Sequence, residues 1–182
     1  MTQRPNTNTE TNPPRSQGSQ KTTAAPPEAA RKLAVKLSGH TGGAARIAVD
    51  TGHGSLVCEV LEGDSIACRL DELRLDTSRL TDAEMPRLEQ ISRELAGRLT
   101  YLLEAVGPIE LDAGSATVQL RSIPPHKDET ETEYYELLVR AGGQLLFRRY
   151  RQPASGDRRP VPASLTKEVV ARLAADFLRS VE

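Results

Sequence analysis

The sequence predicts an α+β domain: an antiparallel sheet with a long central helix and a C-terminal helix packed on one of its faces. Three observations lead there. Short runs with a period of two, as in half-buried strands, fall into two groups, joined within each group by glycine-bearing turns. A long stretch with helical periodicity separates the groups, and a second such stretch closes the chain, giving the order strands, helix, strands, helix. Strands linked by hairpins make antiparallel sheets, and the strand–helix–strand alternation that builds parallel sheets is absent from this pattern.

The first 30 of the 182 residues hold no Leu, Ile, Val, Phe or Tyr and are rich in Thr, Asn, Gln, Pro and Ser. Such a segment cannot bury enough apolar surface to offset its conformational entropy. A disordered tail is therefore expected over 1–31 and one domain over 32–182. Leu33, Val35 and Leu37 alternate with Lys32, Ala34 and Lys36, which predicts a strand; Ala30, Ala34 and Leu37 also share a helical face, so a short helix from Glu28 is the alternative. After the Gly39–Gly43 turn, Ala45–Asp50 reads as a strand and Thr51-Gly52-His53-Gly54 as its turn. The alternation of Leu56, Cys58 and Val60, and that of Ile66, Cys68 and Leu70, flank Glu62-Gly63-Asp64. This is a hairpin signal, expected to set Val60 opposite Ile66 and Cys58 opposite Cys68.

The helical stripe Leu88, Ile91, Leu95, Leu99, Leu102, Leu103 and Val106 predicts a helix of about 30 Å, from about 1.5 Å per residue. It starts near Thr81, whose spacing to Glu84 is that of a capping box, or at Pro86. Gly107-Pro108 should end it. Strands are expected at Ile109–Asp112, Ala116–Arg121, Tyr134–Arg140 and Gln144–Arg151, the last two joined by a two-residue turn at Gly142-Gly143. Ser122–Glu133 and Gln152–Pro162 read as loops. Ser164 or Thr166 caps the last helix, with the stripe Leu165, Val169, Leu173, Phe177 and Val181.

Composition narrows the function. A net charge of −1 gives no global field for nucleic acid or an anionic membrane, and 3% aromatic residues with no Trp argue against base-stacking platforms. Neither is an expected partner. No apolar run approaches the roughly 18 residues a membrane span needs, no secretory signal opens the chain, and two cysteines are too few for a disulfide framework. A cytoplasmic protein with reduced thiols is expected, Cys58 and Cys68 serving as core rather than as a redox pair. His40, Asp50 and His53 sit in neighbouring glycine-rich turns without metal-ligand spacing; no metal and no cofactor are expected.

Val49-Asp50-Thr51-Gly52 follows a strand and resembles the Asp-Thr-Gly motif of aspartic proteases, in which two such aspartates share a proton and activate water. One copy per chain implies a homodimer, as in the retroviral type, with Asp50 as the candidate catalytic residue. His53 departs from the Ala or Ser usual after that motif. The order of strands and helices is also similar to the layout of bacterial secretion chaperones.

The most unusual chemistry is electrostatic. Arg140, Arg148, Arg149, Arg151, Arg158 and Arg159 follow closely on Asp128, Glu129, Glu131, Glu133 and Glu136. A two-residue turn pairs Glu136 with Arg149 and Leu137 with Arg148, so much of this charge is answered within the sheet. It also places Leu138, Leu145 and Phe147 on one face and Leu137, Val139 and Leu146 on the other. With helices on one side only, one set needs another cover. The expected function is thus a non-enzymatic interaction or adaptor module. Self-association or partner binding would go through Leu138, Leu145, Phe147, Arg148, Arg149 and Arg151. The alternatives are the Asp50 peptidase and a carrier of a small apolar ligand.

Overall fold

The computed structural model describes Met1, residues 25–128 and residues 130–182. In chain order the elements are α1 (Glu28–Gly39), β1 (Ala45–Asp50), β2 (Gly54–Gly63), β3 (Ala67–Thr77), α2 (Met85–Arg98), β4 (Val106–Asp112), β5 (Thr117–Ser122), β6 (His126–Lys127), β7 (Glu131–Arg140), β8 (Gln144–Pro153), β9 (Arg159–Val161), β10 (Ala163–Thr166) and α3 (Lys167–Ser180). All described strands join one sheet with the path β1-β2-β3-β8-β7-β5-β4; β10 adds to β3, β6 to β7 and β9 to β8. Every pairing is antiparallel. The α+β class and the antiparallel sheet are as expected. The element order is not, because a helix opens the domain. No helix among the described residues is long and apolar enough to cross a membrane.

The tail expected over 1–31 lies outside the described residues from position 2 to 24, and Glu28–Arg31 already form the first turn of α1. The strand expected at Lys32–Leu37 is helix instead. Alternation of Leu33, Val35 and Leu37 is deceptive: Leu33 and Leu37 are buried together with Ala29 and Ala30, whereas Val35 is 74% exposed. The buried set is one helical face, made of strong helix formers. Glu28 in the first turn and Lys36 in the last complement the helix dipole, and a Glu28–Lys32 pair at 2.7 Å supports the outer face.

The central helix is shorter than expected. α2 has 14 residues, about 21 Å at 1.5 Å per residue. Pro86 lies in its first turn, where no backbone donor is needed. Thr81 does not cap it; the preceding turn, Ser78–Leu80, is a short 3-10 segment whose cap is Thr77, Oγ1 accepting from the Arg79 N–H at 3.3 Å. Beyond Arg98 the apolar residues no longer share a helical face. Leu99 and Leu102 stay buried, Leu103 is 92% exposed, and the Tyr101 hydroxyl donates to Asp176 on α3 at 2.8 Å. Gly107 and Pro108, expected as the helix stop, belong to β4, an edge strand where a proline removes no ladder bond that a neighbour needs.

Both hairpin registers differ from expectation, the first because its turn lies further along the chain and the second because its turn is one residue longer. In β2–β3 the turn is Asp64-Ser65-Ile66. The Asp64 carboxylate accepts the N–H groups of Ile66 and Ala67 at 2.7 Å each, and Ile66 is exposed. Cys68 then faces Gly63, and after an irregularity between Glu59 and Glu62 Cys58 faces Leu73. The thiols are free, buried and not opposite each other. β3 also continues past Asp71 to Thr77, burying Leu73 and Leu75. In β7–β8 the loop is Ala141-Gly142-Gly143, so that Arg140 pairs with Gln144 and Leu137 with Phe147.

All three helices contribute to one continuous core, on one face of the sheet. It holds Leu33 and Leu37 of α1, Leu88, Ile91 and Leu95 of α2, and Val170, Leu173 and Phe177 of α3. From the strands it takes Ile47, Leu56, Cys58, Leu73, Leu75, Val118, Leu120, Leu137, Val139, Leu145 and Phe147. α3 is capped by Thr166, one of the two candidates; Leu165 of the expected stripe joins the core from β10 instead of from the helix, and Val170 lies with Leu173 and Phe177 on the buried helical face. The alternate residues of the strands point to the opposite face, which none of the described helices covers.

Candidate functional site

The one-residue difference in the β7–β8 register rearranges the expected contact surface, because a strand's side chains alternate between faces. Tyr135, Leu137 and Val139 share the helix-side face with Leu145, Phe147 and Arg149 across the hairpin, while Tyr134, Glu136 and Leu138 share the open face with Leu146, Arg148 and Tyr150. Leu145 and Phe147, expected on an exposed face, are therefore fully buried core residues, with the Phe147 ring stacked on Tyr135 at 5.3 Å between centroids. Leu138 lies on the other face, half-buried, beside Leu146.

The arginines divide in the same way. Arg149 and Arg151 lie on the helix-side face beyond the reach of the helices. Arg149 stacks over Tyr135 at 4.6 Å and bonds Glu104 at 3.1 Å and Glu133 at 3.0 Å; Arg151 bonds Glu133 at 2.7 Å and Glu131 at 3.0 Å. Burial alone pushes the Glu133 carboxyl up, but the guanidiniums of Arg151 and Arg149 outweigh it and hold the group below its ordinary range. Arg148 is on the open face with Glu72. The pairing is thus with other partners than those expected: Glu136 faces Arg148 in the ladder, not Arg149.

The open face is an ordered charge lattice built on two buried carboxylates. Glu72, 4% exposed, accepts from Arg148 and from Arg74 at 2.8 Å. Arg74 also reaches Asp76 at 2.9 Å. Glu136, 2% exposed, accepts from Gln119, Arg158 and Arg121, the last at 3.3 Å. The tyrosines extend the set: Tyr134 and Tyr150 stack at 6.1 Å, Arg121 lies over Tyr134 at 4.4 Å and Arg158 over Tyr150 at 4.6 Å. Arginine stems cover apolar surface while their heads bond the carboxylates, which accounts for the burial of Val57, Leu146 and Tyr134 on a face that none of the described helices covers.

Pairing places these residues in rows across the strands. From β3 through β8 and β7 to β5, one row reads Glu72, Arg148, Glu136, Arg121, its first two members joined by their ion pair just beyond the β3–β8 ladder; the next reads Arg74, Leu146, Leu138, Gln119; the third reads Asp76, Gln144, Arg140, Thr117. Glu72, Arg74, Gln119 and Arg121 were missed from sequence. For the first two a signal existed: Glu72, Arg74 and Asp76 alternate with Leu73 and Leu75, which carries β3 beyond the predicted end of the strand.

Asp50 is exposed, at the end of edge strand β1. Its carboxylate accepts the Gly52 N–H at 2.6 Å, a turn in which the aspartate side chain bonds the backbone two residues on. His40 and His53 lie at opposite ends of the β1–β2 hairpin: the His40 ring bonds the Gly43 carbonyl at 3.0 Å and its own carbonyl accepts from Lys167, while the His53 carbonyl accepts from Ser78. Among the described residues no group of three His, Cys, Asp or Glu side chains is placed to hold a metal ion. A groove of about 910 Å³ runs between α1, the end of α2 and α3, floored by Ala30, Ala34, Ala171 and Ala175 and rimmed by Arg31, Arg98, Arg172 and Arg179. Compared with known protein families, with curated proteins and with solved structures, the chain matches none.

Proposed function

We propose that the chain is a non-enzymatic interaction module that associates with a second copy of itself through the open face of its sheet. The observation that carries this reading is the self-complementarity of that face. A two-fold axis parallel to the strands, lying between β7 and β8, reverses the strand order of the facing copy. Glu72 then meets Arg121 of the second copy, and Arg148 meets its Glu136. Leu146 meets Leu138 of the second copy, and Gln144 meets its Arg140. Every charge in the row from Glu72 to Arg121 faces its opposite, and the apolar pair of the next row faces itself, as an isologous interface requires. The arginines are already held by carboxylates and tyrosine rings, so little side-chain freedom is lost on association. The same axis keeps the two Asp50 carboxylates apart, since β1 lies at the rim of the sheet; this favours the interaction reading over the peptidase.

Sedimentation velocity over a range of concentrations tests it. The wild type is expected to sediment as a dimer. Leu138→Asp sets a charge in the centre of the contact and should weaken it by about 2 kcal/mol or more, with unchanged circular dichroism because Leu138 is outside the core. A wild type that is monomeric at every concentration would remove this reading.

A further inference from the structure

The two edges of the sheet are built differently. At the β4 edge, Pro108 lacks a backbone donor and the ladder to β5 shifts register between Pro108 and Glu110. Both features blunt an edge against pairing. β1, at the other edge, has no proline, and its six residues pair with β2 without any shift. Its outward-facing backbone has no strand partner among the described residues. The Ala48 carbonyl accepts from the Lys36 ammonium at 2.8 Å, so it points away from β2. By strand alternation the backbone groups of Arg46, Ala48 and Asp50 face the same way.

Beside this edge runs a groove of about 560 Å³. One wall is a face of α1 formed by Glu28, Arg31, Lys32, Val35 and Lys36, the other Ala48, Val49 and Asp50 of β1. Its surface is largely apolar, with Val35 standing 74% exposed, while three cations and two carboxylates rim it. A helix laid beside an unpaired edge strand is the geometry in which an extended peptide adds a strand: backbone bonds supply affinity, and the side chains that point toward the helix supply selectivity. Lys36 already stands where the donor of an added strand would be.

We propose that the groove between α1 and β1 binds an extended acidic peptide segment as an additional antiparallel strand. Its N–H takes the Ala48 carbonyl, the displaced Lys36 ammonium turns to a peptide carboxylate, and an apolar peptide side chain covers Val35. Three outward backbone positions set the length of the contact at about five or six residues. The site lies at the rim of the sheet, away from the Leu138–Leu146 centre, and stands or falls independently of the dimer.

The test is selection of random twelve-residue peptides displayed on phage against the full chain, followed by calorimetry with synthetic copies of the enriched sequences. Acidic sequences with alternating apolar residues are expected. Val35→Glu, an exposed change without folding cost, should weaken them about tenfold or more, and Ala48→Pro, which removes an outward donor, should act likewise. Leu138→Asp should leave their affinity unchanged. No enrichment, enrichment of basic peptides, or binding indifferent to Val35→Glu would overturn the proposal. So would binding lost in Leu138→Asp, which would move recognition to the open face. A dimer that Val35→Glu dissociates would make a second copy the occupant of the groove.

Discussion

Glu136 shows how much a single side chain organises. It is 2% exposed and accepts from Gln119 and Arg121 of β5 and from Arg158 before β9. Glu136→Gln keeps the shape but removes the charge on which two guanidiniums converge. The arginine side chains are 31% and 41% exposed, so water recovers part of the loss. We expect a drop of about 1–2 kcal/mol in unfolding free energy, measured by urea titration. No change would mean that the lattice is solvated rather than structural. Cys58 makes the opposite point, a polarisable group used as core. Burial first, then Cys68 and Glu59, push its thiol up to about 12. The unfolded thiol titrates near pH 8.5–9. Between that pH and about 12 the unfolded chain loses a proton that the folded chain keeps, so the group's contribution is intact below about pH 9 and declines as pH rises. Native Cys58 should resist a disulfide-exchange reagent at pH 8 and react at once in denaturant; rapid labelling of the folded protein would contradict its burial.

At the scale of the element, the β7–β8 hairpin was legible as a hairpin and wrong in register. Two glycines mark a turn, but three residues make it, because Gly143 also serves a second contact. Its carbonyl accepts from the Thr77 N–H at 2.7 Å, and a Cβ on it would stand 2.1 Å from the Thr77 carbonyl oxygen. Gly142, at φ +82°, has open space around it. Gly142→Ala should therefore cost about 1 kcal/mol, for the left-handed conformation alone. Gly143→Ala should cost clearly more, because backbone on backbone cannot relax. Equal melting temperatures for the two variants would contradict this account of the loop. The shifted register also reverses the expectation for Phe147. Phe147→Ala should cost about 3–5 kcal/mol as a cavity mutation, and Phe147→Asp should not fold; a folded, merely monomeric Phe147→Asp would restore the register expected from sequence. Helix α1 carries the same lesson. Its leucines alternate like a strand, and only the burial of Ala29 and Ala30 beside them selects the helical face.

For the whole molecule, the open face and the two unequal edges are the features with consequences. A dimer built on alternating charges should weaken with salt. Raising ionic strength from 0.1 to 1 M shortens the screening length from about 10 to about 3 Å, and the dissociation constant in sedimentation should rise severalfold. A salt-independent dimer would point to a purely apolar contact elsewhere. The sequence by itself determined the α+β class, the strands β1, β5, β7 and β8, two candidates for the cap of α3 and the abundance of answered charge, because periodicity, capping and composition are local properties. Tertiary structure alone decided the rest. The length of a turn is settled by contacts such as Gly143 with Thr77, across 66 positions of chain. That length sets register, and register decides which of two adjacent arginines meets Glu72 and which meets Glu104. The end of α2 is likewise set by what Tyr101 finds on α3. Which face of a strand is core, and so which residues are left to recognise anything, is a long-range outcome: one residue of slip exchanges every side chain between the two faces.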